Sequence, residues 1–102
     1  FPLTIRPGAP FERRELQIWL EQRDIQTRPV FTGNILRQPA MKNVEVRAAP
    51  EGYPVSDTVM RGGILLACHH GLVEAQIDFM HESFDSFARR QGSTSVKEAA
   101  NA

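Results

Sequence analysis

The chain has 102 residues, of which 41% are hydrophobic and 24% charged, and its formal net charge is +0. This composition is typical of one globular domain with a modest core, and it excludes a disordered or fibrous chain. The balanced charge gives no overall field that attracts nucleic acid or an anionic membrane, and no segment approaches the ~20 apolar residues of a membrane-spanning helix.

The cysteine count and the N-terminal residues indicate the cellular compartment and whether the chain is part of a longer protein. Cys68 is the single cysteine, so an internal disulfide is excluded. The N-terminal residues lack the pattern of a signal peptide, and we therefore expect a reducing, cytoplasmic environment. The chain opens at Phe1 directly into a strand-like run, as we expect of a fragment of a longer protein.

The first third of the chain predicts a strand, a helix and a second strand. Residues 1–6 alternate apolar and polar side chains, as a half-buried strand does, and residues 10–24 show helical spacing. Residues 26–31 predict a second strand, in which Pro29 lacks an amide donor and is therefore confined to an edge or to the end of the strand. The residues on one face of the predicted helix are Leu16, Trp19, Leu20 and Arg23.

The middle of the chain predicts short elements around one buried strand. Residues 44–47 alternate and indicate a short strand, and Ser56 is placed to cap a brief helix that ends at Gly62 and Gly63. Residues 64–68 form a continuous apolar run, which is typical of a strand buried on both faces. We expect this strand to be the centre of the sheet.

A second long helix follows the turn at residues 69–71. It ends at Gly92 in this interpretation, and residues 92–102 form a flexible tail beyond the domain of residues 1–91. The order of elements predicts an α+β fold, with a small mixed or antiparallel sheet covered on one face by two long helices. The apolar positions of the second long helix are Val73, Ile77, Met80, Phe84 and Phe87.

Several residues that attract attention are better explained by structure than by chemistry. A metal site needs three or four convergent ligands, and His69 and His70 lack enough partners, so we expect no metal. The apolar neighbours of Cys68 predict a buried, inert thiol. Core packing explains Trp19, Phe79, Phe84 and Phe87, and solvated helix faces explain the pairs Arg13–Arg14 and Arg89–Arg90.

The second predicted strand and its loop concentrate charged and amide groups beside a glycine. Guanidinium groups suit phosphate oxygens, and a glycine lets a ligand approach the backbone, so an anion or sugar site fits this segment. The same side chains could instead cap carbonyls and hold the loop down. From the residues alone the two readings have equal support. The group consists of Arg28, Gly33, Asn34, Arg37 and Gln38.

Two segments, residues 27–39 (TRPVFTGNILRQP) and residues 63–72 (GILLACHHGL), resemble the C-terminal region of the DegT/DnrJ/StrS family of sugar aminotransferases and dehydratases. The order of the other elements agrees over residues 1–90. The arginine, glycine-asparagine and arginine-glutamine-proline loop is similar to the branch that removes the 3-hydroxyl of nucleotide-linked 4-keto-6-deoxyhexoses. Aminotransferases of the family tend to carry a histidine-bearing loop there.

The resemblance implies the small C-terminal domain of a fold-type I enzyme that uses pyridoxal or pyridoxamine phosphate (PLP or PMP), acts in deoxysugar and lipopolysaccharide biosynthesis, and is commonly a homodimer. The cofactor and the catalytic lysine or histidine would belong to an absent N-terminal domain, so we expect neither a catalytic residue nor a bound cofactor in this fragment. Lys42 and Lys97 stand in no matching context. The alternatives are a PLP-dependent sugar aminotransferase and a non-catalytic binding or dimerisation module.

Carried over to this sequence, the resemblance places Phe31 beside the cofactor–substrate adduct and Asn34 within hydrogen-bonding distance of it. Arg28 and Arg37 would organise the loop or meet the phosphates of the sugar nucleotide, and Gly33 and Gln38 belong to the same segment. The sequence departs from the family at Glu12 and Val73, where a serine or threonine commonly caps the two long helices. The resemblance therefore leaves the starts of both helices open.

Overall fold

The computed structural model describes the backbone of residues 1–100 and the side chains of residues 1–92. Within this part of the chain the fold is α+β, as predicted, and its sheet is antiparallel. The strands are β1 (Pro2–Thr4), β2 (Thr27–Pro29) and β3 (Gly63–Leu66), and the helices are α1 (Arg13–Glu21), α2 (Pro54–Gly62) and α3 (Glu74–Ala100). Two short 3₁₀ helices, Ile35–Arg37 and Pro39–Met41, lie between β2 and α2.

The apolar run predicted as the centre of the sheet forms β3, which lies between the other two strands in the order β1-β3-β2. Leu3 pairs with Ile64 on one side, and Pro29 pairs with Ile64 on the other. Because β2 is an edge strand and Pro29 is its last residue, the missing amide of Pro29 costs the sheet no ladder hydrogen bond in its interior. The predicted position of Pro29 is confirmed.

One face of the sheet carries the core. Side chains alternate along a strand, so Ile64 and Leu66 of β3 point to one face and Leu65 to the other. Ile64 is fully buried, and it packs with residues of α1 and α3, the two helices predicted to cover one face. The buried core cluster comprises Leu16, Leu20, Ile25, Ile64 and Phe87.

Aromatic and polar contacts join α1 to α3. The Phe11 and Phe87 rings meet edge to face with centroids 4.8 Å apart, and the indole Nε1–H of Trp19 donates to the Ser83 carbonyl at 2.9 Å. The Arg23 guanidinium carbon lies 3.3 Å from the centroid of the Trp19 ring, which is cation–π geometry. The predicted face of α1 is therefore the packed face, with Arg23 covering the indole.

Both long helices begin where the sequence lacks a serine or threonine cap. The Glu15 carboxylate accepts from the Glu12 backbone N–H at 3.0 Å before α1, and the side-chain Oε1 of Gln76 accepts from the Val73 backbone N–H at 3.0 Å before α3. In each case a side chain of the first turn reaches back to the residue that precedes the helix. The helices thus start at Arg13 and Glu74 without the usual hydroxyl.

Several local predictions are wrong. Residues 44–47 form no strand, because Val44 and Val46 are exposed and no neighbouring strand pairs with them. Gly92 does not end α3, which runs on to Ala100; a glycine inside a helix costs only about 1 kcal/mol relative to alanine. Flexibility of residues 92–102 stays a prediction, and residues 101–102 lie outside the described part of the chain.

Three predictions of burial or exposure also fail. Cys68 is exposed because β3 ends two residues before it, at Leu66. Phe79 is 46% exposed and lies outside the core cluster. Arg13 is half-buried, and its guanidinium donates to the Met60 carbonyl at 2.7 Å, so it neutralises the carbonyl end of α2 instead of facing solvent.

Candidate functional site

All the residues singled out in the sequence except Arg28, which belongs to β2, lie in the segment that follows this strand, residues 31–38, which we call the phenylalanine loop. The chain leaves the sheet in a tight turn, in which the Phe31 N–H donates to the Pro29 carbonyl at 2.9 Å. Phe31 has a φ of 40°, in the left-handed region that a bulky L-residue rarely adopts. Its side chain is 91% exposed, so this unfavourable backbone conformation presents an aromatic ring to solvent.

Gly33 anchors the loop against α2. Its φ is +66°, and a Cβ at this position would overlap the Cβ of Met60. The Gly33 N–H donates to the Val30 carbonyl at 2.9 Å, which closes the turn. Only glycine combines this φ with so close an approach to a helix, so the sequence requirement here is steric.

Asn34 and Arg37 converge on one carboxylate, that of Asp57 in the first turn of α2. Asn34 Nδ2 donates to Asp57 Oδ1 at 2.8 Å, and Arg37 donates through Nε to Oδ1 at 3.1 Å and through a terminal nitrogen to Oδ2 at 2.8 Å. The amide of Asn34 is only 6% exposed, and its Oδ1 accepts from the Leu36 N–H at 3.1 Å. Asn34 thereby caps the first 3₁₀ helix and ties it to α2.

The electrostatics of this cluster favour the ionised carboxylate. The hydrogen bonds from Arg37 and then from Asn34 lower the pKa of Asp57 to about 2, and the same carboxylate raises the pKa of Arg37. Asp57 has a side-chain exposure of 13%, against 61% for Arg37, so the carboxylate is sheltered while the guanidinium lies over it at the surface. A two-point guanidinium–carboxylate contact of this kind fixes orientation as well as distance.

The two remaining polar residues of the site behave differently. Gln38 Nε2 donates to the Thr32 carbonyl at 3.1 Å, which closes the phenylalanine loop on itself. Arg28 pairs in register with Leu65, and therefore points to the face of the sheet opposite to α1 and α3. Val30, two residues after Arg28, points to the same face, where its side chain and that of Val59 of α2 lie against Gly63 of β3. Because the loop is docked on α2, Arg28 and the loop share this face of the sheet.

The structure thus brings Gly33, Asn34, Arg37 and Gln38 into one folded unit with Phe31 at its tip. Within the described residues no hydrogen bond or ion pair joins Arg28 to that unit, and Arg28 is exposed. Of the two readings left open by the sequence, the geometry assigns the polar groups of Asn34, Arg37 and Gln38 mainly to holding the loop.

Sequence reasoning missed the residues of α2 that receive the loop, Asp57 and Met60. A carboxylate in the first turn of a predicted helix is explained by the helix dipole, so Asp57 gave no separate signal. Met60 contributes its main chain and Cβ, which any residue other than glycine would supply.

The described residues of this chain do not fit a site for a pyridoxal-type cofactor. Such a site needs a base, a carboxylate facing the ring nitrogen and groups that bind a phosphate. Lys42 is exposed beside the second 3₁₀ helix, and the Asp57 carboxylate already accepts three hydrogen bonds. Within the part of the chain whose side chains the structure describes, residues 1–92, these groups do not come together.

Other candidate chemistry is also limited in the part of the chain that the structure describes. No cluster of three or more histidine, cysteine, aspartate or glutamate side chains is placed to hold a metal ion. The ring Nδ1 of His69 accepts from the Gly71 N–H at 3.1 Å, so this histidine shapes the turn before α3. In the same part of the chain, the helices lack the combination of length and continuous apolar surface that a membrane span requires.

Comparison with known proteins agrees with the resemblance of the loop and of β3. The model of the DegT/DnrJ/EryC1/StrS aminotransferase family matches residues 1–85. The chain is 31% identical over 87 residues to the lipopolysaccharide biosynthesis protein RfbH of Salmonella typhimurium, and 36% identical over 90 residues to the dTDP-4-dehydro-2,6-dideoxy-D-glucose 3-dehydratase of Saccharopolyspora spinosa.

These alignments cover most of this chain and a small part of each relative. They include 85% and 88% of this chain, but 20% of RfbH and 19% of the dehydratase. The chain therefore spans about a fifth of the length of the curated relatives that it matches. Because the family model matches residues 1–85, this chain belongs to the DegT/DnrJ/EryC1/StrS aminotransferase family.

Proposed function

We propose that this chain is the C-terminal domain of a PLP- or PMP-dependent sugar-nucleotide 3-dehydratase, and that its phenylalanine loop completes the active site of that larger enzyme. The similarity to a named 3-dehydratase and to a lipopolysaccharide biosynthesis protein supports the reaction class. The larger enzyme would be a cytoplasmic homodimer of fold-type I that acts in deoxysugar biosynthesis. Its cofactor would supply an electron sink and would be bound by residues outside this sequence.

The conformation of Phe31 is the observation that carries this proposal. A phenylalanine that is 91% exposed and has a positive φ is unfavourable twice, in hydration and in backbone energy. The loop around it is docked on α2 through Asn34 and Gly33, so the exposure of Phe31 follows from the folded contacts of the loop. A ring held out in this way suits a planar or cyclic ligand that packs against its face.

The roles of the other loop residues follow from their contacts. Asn34 and Arg37 hold the loop on Asp57, and Gln38 closes it on the Thr32 carbonyl. Arg28 lies on the same face of the sheet and is exposed, and a guanidinium there suits the phosphates of a sugar nucleotide. One wall of this kind buries too little of a ligand to bind it alone.

Replacing Phe31 in the full-length protein that contains this chain tests the proposal. An aromatic contact is worth about 0.5–1.5 kcal/mol, so we expect Phe31→Ala to lower kcat/KM for the sugar nucleotide by about two- to tenfold with no loss of folding stability. Phe79→Ala is a matched control, because Phe79 is an exposed phenylalanine on α3, outside the loop. Equal activity of Phe31→Ala and wild type would refute the role of the loop.

The product distinguishes the dehydratase from the alternatives. Loss of the 3-hydroxyl, seen by mass spectrometry, supports dehydration, whereas gain of an amino group identifies an aminotransferase. In the full-length sequence a histidine at the position of the cofactor-anchoring lysine agrees with dehydration, and a lysine agrees with transamination. Defined binding of the sugar nucleotide to the isolated chain, measured by calorimetry, would instead identify a self-sufficient binding module.

A further inference from the structure

Asp57 is the point at which the phenylalanine loop is joined to the rest of the fold. It lies on α2, outside the loop, and both of its oxygens are engaged by loop side chains at 2.8–3.1 Å. Asn34 adds a second connection, because its amide joins Asp57 to the Leu36 N–H. The carboxylate therefore fixes two loop residues at once, and the flat two-point contact with Arg37 fixes their orientation.

A short and constrained path leads from Asp57 to the ring of Phe31. Asn34 follows Gly33, which lies against Met60 of α2, so residues 33 and 34 are held by two α2 residues that are three positions apart. Only Thr32 separates this docked pair from Phe31, and its carbonyl accepts from Gln38. On its N-terminal side, the Phe31 N–H donates a hydrogen bond to the carbonyl of Pro29, the last residue of β2. The position of Asp57 and that of Phe31 are therefore joined by a short, hydrogen-bonded path.

We propose that Asp57 is a positioning residue, which sets the place of the Phe31 ring in the active site through Asn34 and Arg37 and does not itself contact the substrate. This inference rests on the proposed function of the loop. It also assigns Arg37 to the loop scaffold: its guanidinium is paired with Asp57 and is not an independent ligand for substrate phosphate.

A double-mutant cycle between Asp57 and Phe31 in the full-length protein tests the inference. Because Asp57 acts through the Phe31 ring in this inference, its removal should cost no more than removal of the ring, and we expect Asp57→Ala to lower kcat/KM by up to the factor seen for Phe31→Ala, at most about tenfold, in the wild-type background. If Asp57 acts through Phe31, the same substitution in the Phe31→Ala background lowers kcat/KM less than about twofold further. Asp57→Asn should retain part of the activity, because it keeps an acceptor for Asn34.

Glu15→Ala is the matched control for a carboxylate that only supports structure. The Glu15 carboxylate accepts from the Glu12 N–H at 3.0 Å at the start of α1. We expect this variant to keep the wild-type kcat/KM. Arg37→Lys is an alternative variant, which keeps the charge and loses the two-point contact with Asp57. If Asp57→Ala does not fold, Arg37→Lys replaces it in the cycle, and its effect on kcat/KM should likewise be lost in the Phe31→Ala background.

The outcomes separate this inference from the proposed function. If Phe31→Ala has no effect, the proposed function fails. If Phe31→Ala lowers activity and Asp57→Ala lowers it by an equal further factor in the double variant, the proposed function stands and the positioning role is refuted. Independent effects of Arg37→Lys and Phe31→Ala would refute the role in the same way, and would identify Arg37 as a separate binding group.

Discussion

The two faces of the sheet are held by different forces. On one face, α1 and α3 bury Leu20 and Ile64 completely, and the stabilisation comes from apolar area removed from water. On the other face, the phenylalanine loop is docked on α2 by a carboxylate, an amide, a guanidinium and a glycine. The apolar side tolerates small adjustments of packing, whereas the polar side depends on a few directional contacts. Stability and function are therefore expected to divide between the two faces.

Leu20→Ala should give the largest effect on stability. Leu20 is 0% exposed, and removal of a buried leucine leaves a cavity that costs about 2–5 kcal/mol in the free energy of unfolding. Denaturant unfolding of the chain measures this loss. Ile18→Ala on the same helix is the control, because Ile18 is 47% exposed and should change stability by less than about 1 kcal/mol. Equal effects would mean that α1 does not pack as described.

Gly33→Ala should give an intermediate loss of stability, and this loss reports on the docking of the phenylalanine loop on α2. The positive φ costs about 1–2 kcal/mol for a residue with a Cβ, and the overlap with Met60 adds to it. Gly8→Ala isolates the first contribution, since Gly8 has a φ of +83° with no atom within 4 Å of the added Cβ. We expect Gly33→Ala to be the more destabilising in denaturant unfolding. A loss no greater than that of Gly8→Ala would place the loop away from α2.

The smallest effect should be an acid sensitivity of the loop. The pKa of Asp57 is lowered from 3.8 to about 2 in the folded chain, so folding favours the ionised form. The corresponding stability is fully present above about pH 4 and is lost as the pH falls from about 4 to 2. Thermal unfolding of wild type and Asp57→Asn measures it: their difference in melting temperature should shrink over that window. A difference in melting temperature that stays constant over this window would show that the contacts of Asp57 do not lower its pKa.

Sequence patterns predicted the apolar side better than the polar side for a physical reason. The spacing of Leu16 and Leu20, and the continuous apolar run that became β3, are periodic signals that burial imposes on neighbouring positions. The same reasoning failed at residues 44–47, where four alternating residues indicate a strand only if another strand pairs with them. It failed at Cys68, where the apolar run extends past the end of the paired strand.

The polar side depends on contacts that leave no periodic trace. The sequence identified Arg37, Asn34 and Gly33 as a group, because turn residues and charges cluster there. It did not identify Asp57, which lies twenty residues beyond Arg37 and resembles any carboxylate at a helix start. Likewise, the positive φ of Phe31 is imposed by the docked loop and is not a preference of phenylalanine itself.

The prolines in the outer strands of the sheet affect whether copies of this domain can pair edge to edge. Pro2 lies in β1 and Pro29 in β2, so each outer strand of the three-stranded sheet contains a residue without an amide hydrogen. With strands of only three residues, neither outer edge offers a continuous row of donors for a strand from another molecule. Edge-to-edge aggregation is thereby discouraged at both sides, and any association of this domain has to use the faces of the sheet and the surfaces of its helices and loops.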